Sequence, residues 1–120
     1  DMIGHMDKIK MHNHNRFFSE EENWYRQLID ETLDYIKAND CIVEVNTRGI
    51  YKGRSDSLFP ADMVLKKALK KNIPISLNSD AHKPDEMDGY YAEAIPVLKN
   101  IGYREIYYYT GTIWEAFALD

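Results

Sequence analysis

The sequence predicts an α/β fold made of parallel βα units that ends in a β-hairpin. Short apolar runs rich in β-branched residues, at residues 41–46 and 73–78, are typical of buried strands. Longer segments whose apolar residues recur at helical spacing separate these runs, and this alternation of strand and helix indicates a parallel sheet. The last two strand-like runs, residues 105–109 and 112–119, flank a short Gly-containing turn and predict the hairpin.

Two helices have clear start signals. Ser19 and Glu22 form a capping-box pair, so the first helix is predicted to begin at Ser19 and to end near residue 39. The second helix is predicted over residues 60–71, with Pro60 in its first turn, where a missing backbone N–H costs nothing. Both segments carry an apolar stripe that can pack on a sheet.

A third helix and two loops complete the pattern. The helix is predicted between residues 85 and 101, but Pro96 removes a backbone donor, which costs about 3 kcal/mol inside a helix. We therefore expect a kink or a late start. Polar loops are predicted over residues 6–18 and 47–58, and residues 1–5 have the pattern of a strand that enters the first loop.

Composition narrows the class of protein. The chain has 120 residues, 44% of them hydrophobic, and a net charge of -5, which predicts one compact unit, residues 1–120, rather than a whole α/β barrel. An acidic chain is a poor ligand for nucleic acid or anionic membranes, so neither is expected as a partner. The single Cys41 and the lack of a signal-like segment predict a cytoplasmic location.

Metal-ligand residue types follow the predicted strands. Asp80 and His82 come just after one strand, two residues apart, so an extended backbone directs both to one side. His5 follows Gly4 at the end of the first strand, and Asn46 ends the middle one. Because the carboxyl ends of parallel strands meet at one edge, His5, Asp80 and His82 are predicted to hold a divalent metal there. The alternative is that they are loop residues without a ligand role.

Three further residues are weaker candidates. Glu44 lies within a strand, and a buried glutamate needs a partner, so it is predicted to support a ligand rather than to bind the metal itself. His12 and His14 form a His-x-His pair in a polar loop, which is a poor place to preorganise a metal site. We therefore expect them to be surface residues.

Basic residues cluster in the same two loops. Lys8, Lys10 and Arg16 follow the first strand, and Arg48, Lys52 and Arg54 follow the second. Solvated surface charges are the common alternative, but clustering in an acidic chain favours an anionic substrate, and phosphate matches Lys and Arg best. The predicted substrate-binding residues are Lys10, Arg48, Lys52 and Arg54.

These motifs, taken in order, resemble a known family. The sequence reads IGHMD at residues 3–7, EVNTRG at residues 44–49 and SDAH at residues 79–82, with Pro84 just beyond. This order is similar to the later motifs of the polymerase-and-histidinol-phosphatase (PHP) family. The resemblance extends over nearly the whole chain, and three ordered motifs are much more specific than one.

The resemblance implies a fold and an activity. Members resemble a distorted seven-stranded βα barrel with up to three divalent ions, such as Zn, Mn or Fe, at its carboxyl-terminal rim. His5 matches the Gly-His ligand of the family, and Asp80 and His82 match its last Asp-x-His pair. The resemblance implies that Asp80 would also accept a proton from the attacking water. The implied reaction is hydrolysis of a small phosphomonoester, with histidinol phosphate of histidine biosynthesis as the expected substrate, and its catalytic residues would be Asp80 and His82.

One part of the family pattern is absent. The early His-x-His motif and other upstream ligands have no counterpart, because the pair at His12 and His14 follows the Gly-His motif instead of preceding it. The chain therefore resembles the C-terminal half of a PHP domain, which would need the N-terminal half or a swapped copy to close the barrel. Two alternatives stay open: a PHP phosphoesterase acting on nucleotides or nucleic acid, and an inactive half-barrel module.

Overall fold

A parallel three-stranded sheet lies at the centre of the structure, a computed structural model that describes residues 1–119. Its strands have the spatial order β1-β2-β3, and a separate two-stranded sheet contains β4 and β5. The predicted alternation of strand and helix is thereby confirmed for β1 to β3. The elements are β1 (Met2–Ile3), α1 (Asn23–Ala38), β2 (Ile42–Asn46), α2 (Arg48–Tyr51), α3 (Asp62–Lys70), β3 (Ile75–Asn78), α4 (Tyr91–Ile101), β4 (Glu105–Tyr109) and β5 (Trp114–Ala118).

The strand register brings the carboxyl ends of the central sheet to one edge. Ile3 pairs with Val43, and Val43 pairs with Ile75. At the far end of the ladder Asn46 lies opposite Asn78. Residues that follow β1, β2 and β3 therefore emerge side by side, as the sequence predicts, and this edge is called the rim below.

Apolar side chains of α1 and α3 hold the sheet in place. Helix α1 buries Tyr25, Ile29, Leu33 and Ile36, which recur at the three- and four-residue spacing of one helix face. Helix α3 contributes Val64, Leu65 and Ala68 to the same core. A fully buried leucine gains about 1.5–3 kcal/mol from leaving water, so this core fixes the strands that carry the rim.

The first helix begins later than predicted. Helix α1 starts at Asn23, and residues 19–22 form a turn in front of it. The capping-box pair is half formed, because the Ser19 N–H donates to Glu22 Oε1 at 2.8 Å while Ser19 Oγ accepts from the Glu21 N–H. The Ser19 hydroxyl thus closes a local turn instead of capping the helix.

The other boundary predictions also need correction. Helix α3 begins at Asp62, so Pro60 precedes the helix instead of occupying its first turn. Both predicted loops contain a short helical turn, the 3₁₀ turn Lys8–Lys10 in the first and α2 in the second. Helix α4 starts later than residue 85, at Tyr91, but Pro96 still lies inside the helix, so the late start does not remove the proline from the helix interior.

The terminal hairpin is confirmed, but it stands apart from the parallel sheet. β4 and β5 are antiparallel, with Ile106 opposite Phe117 and Tyr109 opposite Trp114. Although β4 lies beside β3, its ladder hydrogen bonds go only to β5. Within residues 1–119 no barrel closes, and the described part of the chain is an open α/β fold.

The helices are short. None of those within residues 1–119 combines the length and the apolar character that crossing a membrane requires.

Candidate functional site

The pair formed by His5 and Glu44 anchors the site at the rim. Glu44 is 7% exposed, and its Oε2 accepts from the His5 backbone N–H at 2.9 Å and lies 3.0 Å from His5 Nδ1. Gly4 makes this close approach possible, because a Cβ there would lie 3.1 Å from the same oxygen. The predicted supporting role of Glu44 agrees with this geometry.

The Glu44 contact sets the protonation pattern of His5. An ionised carboxylate only accepts hydrogen bonds, so the proton of a neutral His5 ring lies on Nδ1 and the lone pair on Nε2. That Nε2 atom is 3.5 Å from Asp80 Oδ2. Two acceptors that face each other at this distance attract a cation or a proton between them.

The His82 ring lies near the other carboxylate oxygen of Asp80. The backbone at Asp80 is not extended, contrary to the sequence-based prediction, because its φ is 51°, in the left-handed region. Its Nδ1 is 2.9 Å from the backbone oxygen of Asp80 and 3.8 Å from Asp80 Oδ1. Because a carbonyl oxygen only accepts, Nδ1 of His82 carries the proton and Nε2 is free. The His82 side chain is 62% exposed, so this free nitrogen is available to a ligand from solution.

The donor set fits a divalent ion in part. Adjacent ligand atoms of a tetrahedral zinc ion lie about 3.4 Å apart, which is close to the spacing between His5 Nε2 and Asp80 Oδ2. The Glu44-His5 hydrogen bond supplies the outer support that metal-binding histidines usually have. However, residues 1–119 contain no group of three or more His, Cys, Asp or Glu side chains arranged around one ion position. Ligand roles for His5, Asp80 and His82 therefore stay predictions.

A cleft opens beside this pair. Its space, about 250 Å³ including open solvent, is lined by His5, Lys8, Met11, Asn46, Arg48, Gly49, Arg54, Phe59 and Asp80. Gly49 is required here, since a Cβ would overlap the ring of Phe59. Three cationic side chains thus share one cleft with the His5-Asp80 pair.

The predicted substrate-binding residues occupy different environments. Arg54 is exposed, lines the cleft, and its side chain makes no hydrogen bond or ion pair to any described residue. Arg48 also lines the cleft, but its Nη1 donates to Asp80 O at 2.7 Å and to Glu86 Oε2 at 2.9 Å. Lys52 forms an ion pair with Glu86 Oε1 and is not among the cleft-lining residues.

Lys10 is in a position that the sequence does not predict. Its side chain is only 3% exposed, and its ammonium donates to Ser57 Oγ, to the Leu58 carbonyl oxygen and to Asp7. These contacts tie the first loop to the second, and Lys10 is absent from the cleft lining. The structure therefore gives Lys10 a packing role instead of a place beside a substrate in the cleft.

The partner of Lys10 is an unusual carboxylate. Asp7 Oδ2 accepts from the Ala61 N–H at 2.8 Å and lies 3.0 Å from Lys10 Nζ, while Oδ1 is buried without a partner among residues 1–119. Burial raises the pKa of Asp7 to about 6, and the ion pair with Lys10 offsets only part of that rise.

A pH dependence of stability follows from Asp7. A carboxyl group whose folded pKa is raised contributes stability below its unfolded pKa of 3.8 and loses it as the pH rises through about 6. The free energy of unfolding is expected to fall by up to about 3 kcal/mol between pH 4 and 7 from this group. Urea unfolding across that range measures it, and Asp7→Asn is expected to flatten the profile. An equally steep profile in the variant would assign the loss to other groups.

The His-x-His pair lies outside the cleft. His14 Nδ1 is 2.8 Å from Asp56 Oδ2, and both side chains are more than half exposed, at 58% and 84%. His12 lines the same polar depression next to Asp56, away from the His5-Asp80 pair. Their placement agrees with the prediction that they are surface residues.

Two residues of the site are missing from the sequence-based set. Lys8 lines the cleft, although Lys10 is the residue of the first loop that is predicted to bind substrate. Glu86 contacts Arg48, Lys52 and the His82 N–H. In the sequence, Glu86 lies at the start of the helix predicted over residues 85–101. Nothing in that pattern indicates that it contacts Arg48, Lys52 or His82. The pKa of Glu86 is lowered to about 2, first by the Lys52 ammonium and next by the His82 N–H.

Comparison with known proteins gives two partial similarities. Over 106 residues the chain is 28% identical to a probable histidinol-phosphatase of Deinococcus radiodurans, covering 88% of this chain and 38% of that protein. Over 69 residues it is 33% identical to the histidinol-phosphatase of Bacillus subtilis, covering 58% of this chain and 25% of that protein. No protein-family model matches. The chain spans well under half the length of these relatives, and the similarities support a relationship to histidinol-phosphatases.

Proposed function

We propose that this chain supplies the C-terminal part of a metal-dependent phosphomonoesterase whose substrate is histidinol phosphate. One observation carries the proposal: the His5-Asp80 pair faces a cleft that Lys8, Arg48 and Arg54 also line. A metal-ligand pair next to several cations is what a phosphate ester requires, because the ester carries negative charge and needs an activated water. The similarity to two histidinol-phosphatases supports the choice of substrate.

The residues that would hold divalent ions are His5 and Asp80, with His82 beside them. When bound, such ions lower the pKa of a water molecule and neutralise charge on the phosphoryl oxygens. Glu44 keeps the proton of His5 on Nδ1, so that Nε2 stays available as a ligand. The other carboxylate oxygen, Asp80 Oδ1, would accept the proton of the attacking water.

The cations of the cleft would bind the phosphoryl group. The Arg54 guanidinium has no partner among residues 1–119 and would form two parallel hydrogen bonds with phosphate oxygens. Lys8 adds a flexible point charge. Arg48 is partly neutralised by Glu86, so its remaining N–H groups would orient the phosphate with a weaker charge.

The rest of the enzyme would come from outside this chain. Because the chain spans 38% and 25% of its relatives, the proposal includes an N-terminal half, or a swapped second copy, that adds ligands and closes a seven-stranded barrel. β1 pairs with β2 alone among the described strands, so its other edge can accept a further strand. Open strand edges are normally covered in native proteins, which supports such a partner.

A substrate panel tests the function. The natural protein that carries this sequence is assayed for phosphate release with Mn²⁺ or Zn²⁺ and after chelation. We expect metal-dependent hydrolysis of histidinol phosphate, and much slower hydrolysis of nucleoside monophosphates and of a bis-aryl phosphodiester. Metal-independent turnover, or preference for the diester, would overturn the proposal and favour a nucleotide or nucleic-acid phosphoesterase.

A second candidate is a non-catalytic half-barrel module. The observation that favours it is the lack of a three-residue metal-ligand group within residues 1–119. The same substrate panel separates the two functions. A non-catalytic module would release no phosphate from any substrate with any metal, even in the natural protein that carries this sequence.

A further inference from the structure

We propose that Glu86 is a positioning residue that holds the loop of residues 80–86 and the Arg48 guanidinium in one fixed arrangement. Its importance for catalysis rests on the proposed function, but the arrangement itself is a property of this chain. The buried carboxylate of Glu86 contacts two cations, Arg48 of the cleft and Lys52. It also accepts a hydrogen bond from the backbone of His82.

Glu86 uses both carboxylate oxygens. Oε2 accepts from the His82 backbone N–H at 3.0 Å and from Arg48 Nη1 at 2.9 Å, and Oε1 accepts from Lys52 Nζ. Glu86 is 7% exposed, so these hydrogen bonds are largely shielded from water. Hydrogen bonds to a charged acceptor are about twice as strong as neutral ones, and three of them converge here.

The contacts of Arg48 extend the arrangement to Asp80. The same Nη1 atom that contacts Glu86 also donates to the Asp80 carbonyl oxygen at 2.7 Å. Nearby, the Tyr51 hydroxyl donates to the Ser79 carbonyl oxygen at 2.8 Å. Helix α2 therefore binds the backbone on both sides of Asp80, and Glu86 links this backbone to that of His82.

The charge balance explains why a carboxylate is needed. Arg48 and Lys52 are two cations close to one carboxylate, and without it they would repel each other. Arg48 would then leave Asp80 O to reach solvent. The turn from Asp80 to His82 would lose contacts at both ends, and with them the relative placement of its two side chains.

The test uses hydrogen exchange and metal titration of the natural protein that carries this chain. In Glu86→Ala, the His82 amide is expected to exchange about 10-fold faster, and the affinity for Zn²⁺ to fall about 10-fold. Glu86→Gln keeps one acceptor and should restore part of both values. The matched control is Asp85→Ala, because Asp85 lies in the same turn and its side chain makes no hydrogen bond or ion pair to any described residue.

The two readouts separate this inference from the proposed function. If the natural protein that carries this chain does not bind Zn²⁺, the proposed metal site fails, while the exchange rate of the His82 amide still decides the role of Glu86. The positioning role would be overturned if the His82 amide of Glu86→Ala exchanged within twofold of the wild-type rate. It would also be overturned if Asp85→Ala raised this exchange rate as much as Glu86→Ala does. Full rescue of His82 exchange by Glu86→Gln would show that hydrogen bonding alone, without the charge, is sufficient, contrary to the charge argument.

Discussion

Produced by itself, this 120-residue chain is expected to release no more phosphate from histidinol phosphate than the added metal ion releases alone. The physical reason is the ligand count. His5 Nε2 lies 3.5 Å from Asp80 Oδ2, but no third His, Cys, Asp or Glu side chain within residues 1–119 completes a group of ligands around one ion. Residues that act as a unit lose activity far out of proportion to their number, so a partial set is expected to lower turnover by several orders of magnitude.

The assay combines Zn²⁺ or Mn²⁺ with the chain and follows phosphate release. The control is the same chain carrying Asp80→Asn, which reports any contaminating phosphatase. Turnover above the metal-only rate that disappears in Asp80→Asn would contradict the expectation. It would mean that residues of this chain complete the site after a rearrangement that metal binding induces.

Most of the rim could be predicted from the sequence. Strand and helix alternate clearly, and parallel strands must present their carboxyl ends at one edge, so the proximity of His5 and Asp80 follows from topology. That Glu44 has a polar partner follows from burial alone, because a carboxylate inside a strand needs one, and in the structure this partner is His5. These inferences depend on backbone direction, which local sequence determines well.

Roles that depend on long-range packing could not be predicted. Lys10 has the sequence context of a loop cation, yet contacts with Asp7, Ser57 and Leu58 bury it, and 47 residues separate it from Ser57. Glu86 likewise acquires its role from Arg48, which lies 38 residues earlier. Local propensity carries no information about such pairs.

The position of the hairpin shows the same limit. The runs of residues 105–109 and 112–119 predict the β4-β5 hairpin correctly, but the pattern does not specify whether β4 also joins the parallel sheet. In the structure β4 takes its ladder hydrogen bonds from β5 and lies beside β3 without joining its sheet. Pairing between strands is decided by register and packing across the fold.

The substitution Asp80→Asn is expected to remove metal-dependent phosphatase activity, by about 10³-fold or more, from the natural protein that carries this chain. Asn keeps the size of the side chain but cannot supply the negative oxygen that faces His5 Nε2. Asp80 has a φ of 51°, in the left-handed region, and Asn is among the residues that tolerate this conformation. The free energy of unfolding should therefore change by less than about 1 kcal/mol.

The matched control is Asp56→Asn, because Asp56 also lies beside a histidine ring, 2.8 Å from His14 Nδ1, but outside the cleft. Turnover, Zn²⁺ affinity and urea unfolding are measured for both variants. Only Asp80→Asn should lose turnover and weaken Zn²⁺ binding, by more than about tenfold, while both variants unfold like wild type. If Asp80→Asn retains full turnover, Asp80 is neither a ligand nor a proton acceptor, and the closeness of its carboxylate to His5 reflects only a surface ion pair of the kind worth less than about 1 kcal/mol.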